Sequence, residues 1–347
     1  MALYMHSGKP CLQSGIAQQE FQQVKSIHVL MPAPMMPMIL QGLEAAFTVH
    51  RLWEAPDRAA AIAQFAPQIR AIAAGASHQP VDAGFMAQFP KLEIIGSFGV
   101  GYDHVDAPWA GQQGITVTNT PDVLNEEVAD TAMGLLLATI RQLPQADRYL
   151  RAGKWLEKPF PLTATLRGRT LGILGLGRIG KAIARRAEAF GLKIAYHGRS
   201  AQADVAYPYY PTLVGLAQAA DILLAIAPGG AGTQGIINAG VLAALGPQGV
   251  LINVARGSLV DEEALIVALR EGTIMSAGLD VFADEPRVPQ ALRDMQHIVL
   301  LPHVGSASHH CRDAMGQLVV DNLLSWASGA GPLTPVAETP WRKSAKG

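Results

Sequence analysis

Three side chains with complementary chemistry follow apolar runs in the second half of the chain. They are Arg256 in Val-Ala-Arg-Gly, Glu285 in Asp-Val-Phe-Ala-Asp-Glu-Pro and His303 in Leu-Pro-His-Val-Gly. A planar guanidinium can hold a carboxylate and a neighbouring carbonyl oxygen together. An imidazole titrates near neutral pH, and a carboxylate bonded to it would orient the ring and favour its protonated form. Reduction of a 2-keto acid requires these groups: a hold on the carboxylate, a polarised carbonyl and a proton donor.

A glycine-rich turn upstream of these groups indicates a dinucleotide site. It reads Gly175-Leu176-Gly177-Arg178-Ile179-Gly180, between a predicted strand and a helix predicted from Arg178 to Phe190 with Gly191 as its C-cap. The first glycine allows the tight turn, the second lets the backbone approach a pyrophosphate, and the third lets the helix pack on the strand. Free N–H groups and the helix dipole would hold the anion.

The end of the next predicted strand distinguishes the two nicotinamide dinucleotides. An NAD site normally carries Asp or Glu there to bind the ribose 2′-OH. This chain reads Tyr196-His197-Gly198-Arg199-Ser200, without a carboxylate. Arg199 can form a charge-assisted fork with a 2′-phosphate and Ser200 can donate a hydrogen bond, whereas the alternative is a solvated loop arginine. We therefore predict NADP(H) in preference to NAD(H).

Length and composition favour a two-domain cytoplasmic protein. The chain has 347 residues, 49% of them hydrophobic, with a net charge of −1 and two cysteines. Without a basic stripe, nucleic acid is not an expected partner. No apolar run approaches the ~20 residues that cross a bilayer, and the N-terminus has no secretory h-region. Cys11 and Cys311 lack metal-ligand spacing and are predicted to be reduced thiols, with no metal site.

Apolar runs separated by segments of helical length predict two parallel-sheet units in succession. The predicted fold is α/β, with two Rossmann-like or flavodoxin-like parallel-sheet domains flanking a cleft. Residues 1–120 and 306–347 are predicted to bind substrate, and residues 121–305 the dinucleotide. The candidate strands are Ile27–Met31, Val49–Leu52, Ile69–Ala73, Leu92–Ser97, Ile115–Thr118, Thr170–Leu174, Lys193–Tyr196, Ile222–Ala225, Val250–Val254, Ser276–Leu279 and Ile298–Leu301.

Two longer amphipathic segments predict helices outside this alternation. One extends from Asn125 through Gly153 and begins with acidic residues that suit a helix N-terminus. The other extends from Arg312 to Ser328 and would return the chain to the first domain. The Pro/Gly-rich segment from Gly329 onwards is predicted to be poorly ordered.

These motifs, taken together, resemble those of a known enzyme family. The chain resembles the D-isomer-specific 2-hydroxyacid dehydrogenases over nearly its whole length, and most of all their bacterial NADPH-dependent glyoxylate/hydroxypyruvate reductases, near the hydroxyphenylpyruvate reductases. The matching elements are the glycine turn, Phe98-Gly99-Val100-Gly101-Tyr102-Asp103, Thr120-Pro121-Asp122-Val123-Leu124, Asn253-Val254-Ala255-Arg256-Gly257, Gly278-Leu279-Asp280-Val281-Phe282, Asp284-Glu285-Pro286 and Pro302-His303-Val304-Gly305.

The resemblance implies Arg256, Glu285 and His303 as the catalytic set. It places the N–H groups of Val100 and Gly101 on the substrate carboxylate. It also assigns further cofactor contacts, in addition to the glycine turn, Arg199 and Ser200; these are Ala227, Pro228, Thr233, Val254, Ala255, Gly305 and the Asp280 side chain on the nicotinamide carboxamide. The segment from Ala227 to Thr233 departs from the family, in which many members carry a less glycine-rich Pro-Leu-Thr loop.

The implied function is NADPH-dependent reduction of glyoxylate and hydroxypyruvate to glycolate and D-glycerate. One alternative is a bulkier 2-keto acid such as phenylpyruvate, since the loop from Met31 to Met36 is apolar and Ser77 follows another strand. A second is a dinucleotide-sensing, corepressor-like interaction protein. Formate dehydrogenases of this fold pair the histidine with glutamine, so Glu285 argues against that activity.

Subunit association is also implied by the resemblance. The helix from Asn125 and the loop Lys154-Trp155-Leu156-Glu157 resemble the family's dimer arm, so a homodimer is expected. Trp155 either reaches the partner's site or has a simple packing role.

An NADH-linked member of the family, such as a phosphoglycerate dehydrogenase, is a further alternative. Gly198 and the absence of an appended regulatory domain weigh against it.

Overall fold

The computed structural model describes residues 25–75 and 80–342. These divide into two compact units, one extending to Pro121 and resuming at Asp313, the other comprising Asp122–Arg312. The helix His309–Ala327 begins in the second unit and continues in the first. The boundaries predicted after residues 120 and 305 thus fall one residue before Pro121–Asp122 and seven residues before Arg312–Asp313.

The first unit contains a five-stranded parallel sheet. Its strands lie in the order β2-β1-β3-β4-β5, and the predicted strands are confirmed to within two residues. Apolar side chains fill both faces of the central strands, as expected when helices cover both sides of a parallel sheet. The elements are β1 (His28–Met31), α1 (Pro37–Ala46), β2 (Thr48–Arg51), α2 (Arg58–Phe65), β3 (Ile69–Gly75), α3 (Ala83–Met86), β4 (Ile94–Phe98), α4 (Ala107–Gln112) and β5 (Thr116–Thr118).

The second unit contains a six-stranded parallel sheet in the order β11-β10-β9-β8-β6-β7. The chain leaves β6 for β7 on one side and then returns to β8 on the other, which makes the end of β6 a topological switch point. The elements are α5 (Asn125–Ile140), α6 (Leu143–Arg151), β6 (Thr170–Leu174), α7 (Arg178–Ala189), β7 (Lys193–His197), α8 (Leu213–Ala219), β8 (Ile222–Ala225), α9 (Ala239–Leu245), β9 (Val250–Asn253), α10 (Glu262–Glu271), β10 (Ser276–Leu279), α11 (Gln290–Asp294), β11 (Val299–Leu300) and α12 (His309–Ala327).

The segment from Asn125 to Gly153 is not one helix, contrary to the sequence prediction. It forms α5 and α6, followed by a 3-10 turn at Lys154–Leu156. Gln142 between the helices has a φ of 49°, in the left-handed region. Pro144 explains the break, because its ring would clash with the carbonyl of Ile140 in a continuous helix.

The segment after Gly329 is also ordered differently from the prediction. The amide of Val336 donates to Val117 O at 2.9 Å, and the amide of Val117 donates to Thr339 Oγ1 at 2.8 Å. Val336 and Thr339 are 5% and 3% exposed. The segment up to residue 342 thus covers the edge strand β5 and satisfies backbone groups that the edge would otherwise leave unpaired.

Candidate active site

The candidate residues of the second unit follow a single row across its sheet. Strand pairing places Leu174 opposite His197 on one side and Ala225 on the other, and continues through Asn253, Leu279 and Leu300. The glycine turn, Arg199, Arg256, Asp280 and His303 follow these strand ends within three residues. Parallel strands therefore deliver the segments that carry cofactor-binding and reactive groups to the same edge.

The three glycines of the turn have three different surroundings. Gly175 has a φ of 98°, and a Cβ there would lie 2.8 Å from the backbone of Ala227. A Cβ on Gly180 would lie 2.4 Å from the carbonyl oxygen of Gly175, so the helix can approach only because this side chain is absent. At Gly177 no atom of the described residues lies within 4 Å of a Cβ position. The open side at Gly177 is where the backbone can approach a ligand.

Helix α7 begins at this turn, and its first amides could hold an anion. Its first intrahelical bond runs from the amide of Lys181 to Gly177 O at 2.8 Å. The preceding amides, those of Arg178, Ile179 and Gly180, have no intrahelical acceptor and carry the positive end of the dipole. The helix ends at Ala189, and Gly191 has a left-handed φ of 78° as its predicted capping position requires. The turn and helix thus fit a pyrophosphate.

The residues after β7 carry positive charge and no carboxylate. Arg199 and Ser200 are exposed. Asp204, the first acidic residue after β7, pairs with Lys181 Nζ at 2.6 Å, and hydrogen bonding to that lysine lowers the pKa of Asp204. The ring of His197 contacts Tyr210 O through Nδ1 at 2.8 Å. The end of β7 thus presents an exposed arginine and an exposed hydroxyl, and its first carboxylate is paired with a lysine.

Arg256 lies on a turn that a buried amide organises. Asn253, 1% exposed, accepts a hydrogen bond from the Ala255 amide at 3.1 Å and donates Nδ2 to Arg256 O at 2.9 Å. Arg256 itself donates Nη1 to Ala255 O at 2.7 Å. A Cβ on Gly257 would lie 1.8 Å from the carbonyl carbon of Phe282, so only glycine allows this turn to meet the segment that leads to Glu285. Sequence reasoning gave Asn253 no role, although a polar residue at the end of an apolar strand was a usable signal.

Glu285 and His303 form a hydrogen-bonded pair. His303 Nδ1 lies 2.7 Å from Glu285 Oε2, and the other carboxylate oxygen accepts the amide of Phe282 at 3.0 Å. Burial acts to raise the pKa of Glu285, but the bonds from His303 and Phe282 and the charges of His303 and Arg256 outweigh it and lower that pKa. Since the carboxylate is ionised, Nδ1 carries the hydrogen in this pair and Nε2 is the ring nitrogen left to meet a substrate.

The backbone around His303 is held by Asp280. His303 has a left-handed φ of 53°, which is unusual for a residue with a side chain. Its amide donates to Asp280 O at 2.8 Å, and the Asp280 carboxylate accepts the amides of Val304 and Gly305 at 2.7 and 2.8 Å. Burial raises the pKa of Asp280 in spite of these two bonds. Asp280, predicted only as a contact of the carboxamide, therefore also positions the imidazole.

Further predicted cofactor contacts lie on the loop from Ala227 and on the turn that carries Arg256. Thr233 Oγ1 donates to Pro228 O at 2.9 Å, so the glycine-rich loop from Ala227 folds back on itself. Val254 and Ala255 are buried.

Apart from Arg256, the predicted substrate residues belong to the first unit or fall outside the described residues. Val100 and Gly101 lie in the first unit, where Asn119 Nδ2 donates to Val100 O at 2.8 Å. Ser77 lies outside the described residues.

Within residues 25–75 and 80–342, no group of three or more His, Cys, Asp or Glu side chains is arranged to hold a metal ion. No helix in these ranges has the length and apolar character that crossing a membrane requires.

The chain is similar in sequence and fold to known enzymes. The family model for the D-isomer specific 2-hydroxyacid dehydrogenase NAD binding domain matches residues 133–305. Glyoxylate/hydroxypyruvate reductase A of Arabidopsis thaliana is 48% identical over 313 residues, covering 90% of this chain and 100% of the relative. Hydroxyphenylpyruvate reductase of Plectranthus scutellarioides is 46% identical with the same coverage.

A solved structure gives a comparable match. The NADPH-dependent glyoxylate/hydroxypyruvate reductase from Sinorhizobium meliloti, crystallised with NADP and malonate, is 53% identical with a TM-score of 0.87. The alignment covers 92% of this chain and 99% of that chain. The fold predicted from the strand pattern is thereby confirmed.

Proposed function

Since the chain belongs to the D-isomer specific 2-hydroxyacid dehydrogenases, a family of NAD(P)-dependent oxidoreductases, we propose that it reduces glyoxylate and hydroxypyruvate with NADPH. The products are glycolate and D-glycerate. The observation that carries the proposal is the 2.7 Å bond between His303 Nδ1 and Glu285 Oε2 in the unit that also holds the glycine turn. The pair orients an imidazole for proton transfer at the same sheet edge as the dinucleotide turn.

His303 is the proposed general acid. Glu285 holds Nδ1, so Nε2 donates the proton to the carbonyl oxygen as the keto group becomes a hydroxyl. Glu285 is the proposed orienting group, and its depressed pKa keeps it ionised at neutral pH. The side chain of His303 is 43% exposed, which leaves the ring accessible to a substrate.

Arg256 is the proposed substrate anchor. Its guanidinium binds the substrate carboxylate and polarises the carbonyl, and the bond that Asn253 donates to Arg256 O and the one it accepts from the Ala255 amide fix the turn on which it lies. Val100 and Gly101 of the first unit remain proposed amide donors to the carboxylate. In this proposal His303 takes no part in binding the carboxylate and serves only as the proton donor.

The proposed cofactor is NADPH in preference to NADH, and when bound it supplies the hydride. The amides of Gly177 to Gly180 hold the pyrophosphate, while Arg199 and Ser200 hold the 2′-phosphate. Ala227, Pro228, Thr233, Val254, Ala255, Gly305 and Asp280 are the proposed further contacts. Two features support the preference: the exposed Arg199, and the pairing of Asp204 with Lys181, which takes up the first carboxylate after β7.

We further propose a cytoplasmic homodimer. Exposed apolar side chains are concentrated in the segment from Leu143 to Leu162, where Trp155 is 67% exposed and Leu156 is 95% exposed. Burial of these side chains against a second copy would remove them from water. Cys311 is buried and forms no disulfide within the described residues, which suits a reducing compartment.

A kinetic panel tests the proposal. Glyoxylate, hydroxypyruvate, phenylpyruvate and 4-hydroxyphenylpyruvate are each assayed with NADPH and NADH. The proposal requires the highest kcat/KM for one of the two small acids with NADPH. A higher value for an aromatic acid would favour the second candidate, which the 46% identity to a hydroxyphenylpyruvate reductase supports. Negligible turnover with tight NADPH binding would indicate a dinucleotide sensor instead.

A further inference from the structure

A hydrogen-bonded brace connects the turn after β7 to the glycine turn. Gln202 donates Nε2 to Leu176 O at 2.8 Å, and its backbone amide donates to the Tyr196 hydroxyl at 2.7 Å. Leu176 lies between the first two glycines of the cofactor turn. One residue thus bonds to both the end of β7 and the segment proposed to hold the pyrophosphate, and we call these two bonds the Gln202 brace.

The far end of the brace is a buried side chain. The Tyr196 side chain is 1% exposed, and its ring packs against Tyr209 with centroids 5.3 Å apart. Tyr209 in turn donates its hydroxyl to Gly198 O at 3.3 Å. The short segment from Gly198 to Gln202 is therefore bonded at one end to the half-buried Tyr209 and at the other to the buried Tyr196.

The segment fastened in this way carries Arg199 and Ser200. Both side chains are exposed, so packing does little to fix them, and their position depends on the backbone beneath. A guanidinium fork discriminates a phosphate only when it is held at the correct distance and angle. Holding the backbone in advance also lowers the ordering cost of binding.

We propose that Gln202 is a positioning residue for nucleotide selectivity. It fixes the Arg199–Ser200 segment relative to the pyrophosphate-binding turn, so that the 2′-phosphate of NADPH meets a preorganised fork. The inference rests on the proposed 2′-phosphate role of Arg199. Gln202 itself needs no contact with the nucleotide.

A second bridge joins the same regions but is of a different kind. Lys181 and Asp204 form an ion pair at 2.6 Å, with side chains 31% and 68% exposed. Salt screens such a pair, whereas the neutral Gln202 brace is insensitive to ionic strength. Measurement of all variants at one moderate salt concentration therefore reduces the contribution of the ion pair without weakening the brace.

Fragment binding tests the inference without turnover. Calorimetric affinities are measured for adenosine 2′,5′-bisphosphate and adenosine 5′-monophosphate with wild type, Gln202→Met, Tyr196→Phe and Arg199→Ala. Gln218→Met, an exposed glutamine of α8, is the matched control. Gln202→Met keeps the side-chain length but removes the donor to Leu176. It should weaken the bisphosphate about fivefold, the usual worth of one neutral hydrogen bond, and leave the monophosphate unchanged.

The variants distinguish a role of Gln202 in nucleotide selectivity from a merely structural role. Tyr196→Phe, which removes only the hydroxyl acceptor, should lower the same preference, and Gln218→Met should not. If Arg199→Ala abolishes the preference while Gln202→Met and Tyr196→Phe retain it, the inference is wrong and the proposed cofactor preference stands. Equal weakening of both fragments would show a merely structural role. If Arg199→Ala has no effect, the proposed 2′-phosphate role and this inference fail together.

Discussion

Glu285 Oε2 lies 2.7 Å from Nδ1 of His303, and its other oxygen is occupied by the amide of Phe282. The carboxylate is therefore fixed in orientation before it orients the imidazole. The Asp280 carboxylate holds the next two amides of the chain, so the ring and its backbone are fixed from two directions. Such an arrangement lets a histidine present one nitrogen reproducibly to a substrate.

Replacement of Glu285 by glutamine should reduce turnover. The amide retains the shape but not the charge, and it can place an N–H group against Nδ1. We expect kcat to fall by about 100-fold, within the range of general acid–base contributions, with little change in NADPH affinity. Asp284→Asn is the matched control, since Asp284 is exposed and pairs with Arg287 at 2.7 Å. Equal rates for wild type and Glu285→Gln would contradict the orienting role.

The same variant should change the dependence of stability on pH. The pKa of Glu285 lies below its ordinary value of 4.5 in the folded chain, so the folded state favours the ionised form. Its stabilising contribution is complete above the ordinary pKa and is lost as the pH falls through the depressed one. The difference in Tm between wild type and Glu285→Gln should therefore be constant near neutrality and shrink in acid. A difference that grows in acid would reverse the inferred sign.

The glycines of the cofactor turn should respond differently to alanine. A Cβ at Gly180 meets Gly175 O, so Gly180→Ala should lower Tm by about 3–10 °C through overpacking. Gly177→Ala has room in the free protein and a φ of −81° that alanine tolerates, so Tm should hardly change. Its methyl group would occupy the space proposed for the pyrophosphate, and NADPH affinity should fall at least tenfold, about 1.4 kcal/mol. Calorimetry and thermal melts on both variants check this contrast, and normal NADPH affinity in Gly177→Ala would contradict it.

Arg256→Lys should separate charge from geometry at the substrate anchor. Lysine keeps the positive charge but cannot form a planar two-pronged contact with a carboxylate. We expect kcat/KM for hydroxypyruvate to fall roughly 10- to 100-fold, as loss of one charge-assisted hydrogen bond implies. Arg270→Lys, at the exposed end of α10, should leave the kinetics unchanged. Wild-type kinetics in Arg256→Lys would mean that the guanidinium has no such role.

The parts of the site that are local in sequence could be predicted, and those that depend on tertiary contacts could not. Apolar runs predicted the strands, and the spacing of the glycines predicted the glycine turn. Both patterns reflect backbone geometry over a few residues. The roles of Asn253 and Gln202 depend on bonds across loops, and no local pattern encodes them. The second function of Asp280 was missed for the same reason.

Two predictions failed for identifiable physical reasons. Pro144 interrupts what the apolar spacing presents as one helix, since periodicity alone does not register a missing N–H group. The segment after Gly329 has the composition of a loose tail, yet Val336 and Thr339 pair with the edge strand and become buried. Composition indicates how a segment behaves in isolation, but it does not show that the segment can form hydrogen bonds with an edge strand that is distant in sequence.

The reaction of His303→Ala with hydroxypyruvate and NADPH, measured beside NADPH binding, tests most directly whether His303 is the proton donor. We expect kcat to fall by about 100- to 10,000-fold, the range for loss of a general acid, while the dissociation constant for NADPH stays within twofold of wild type. His310→Ala, an exposed histidine seven residues later, should behave as wild type. Turnover by His303→Ala at the wild-type rate would contradict the assignment of His303 as proton donor.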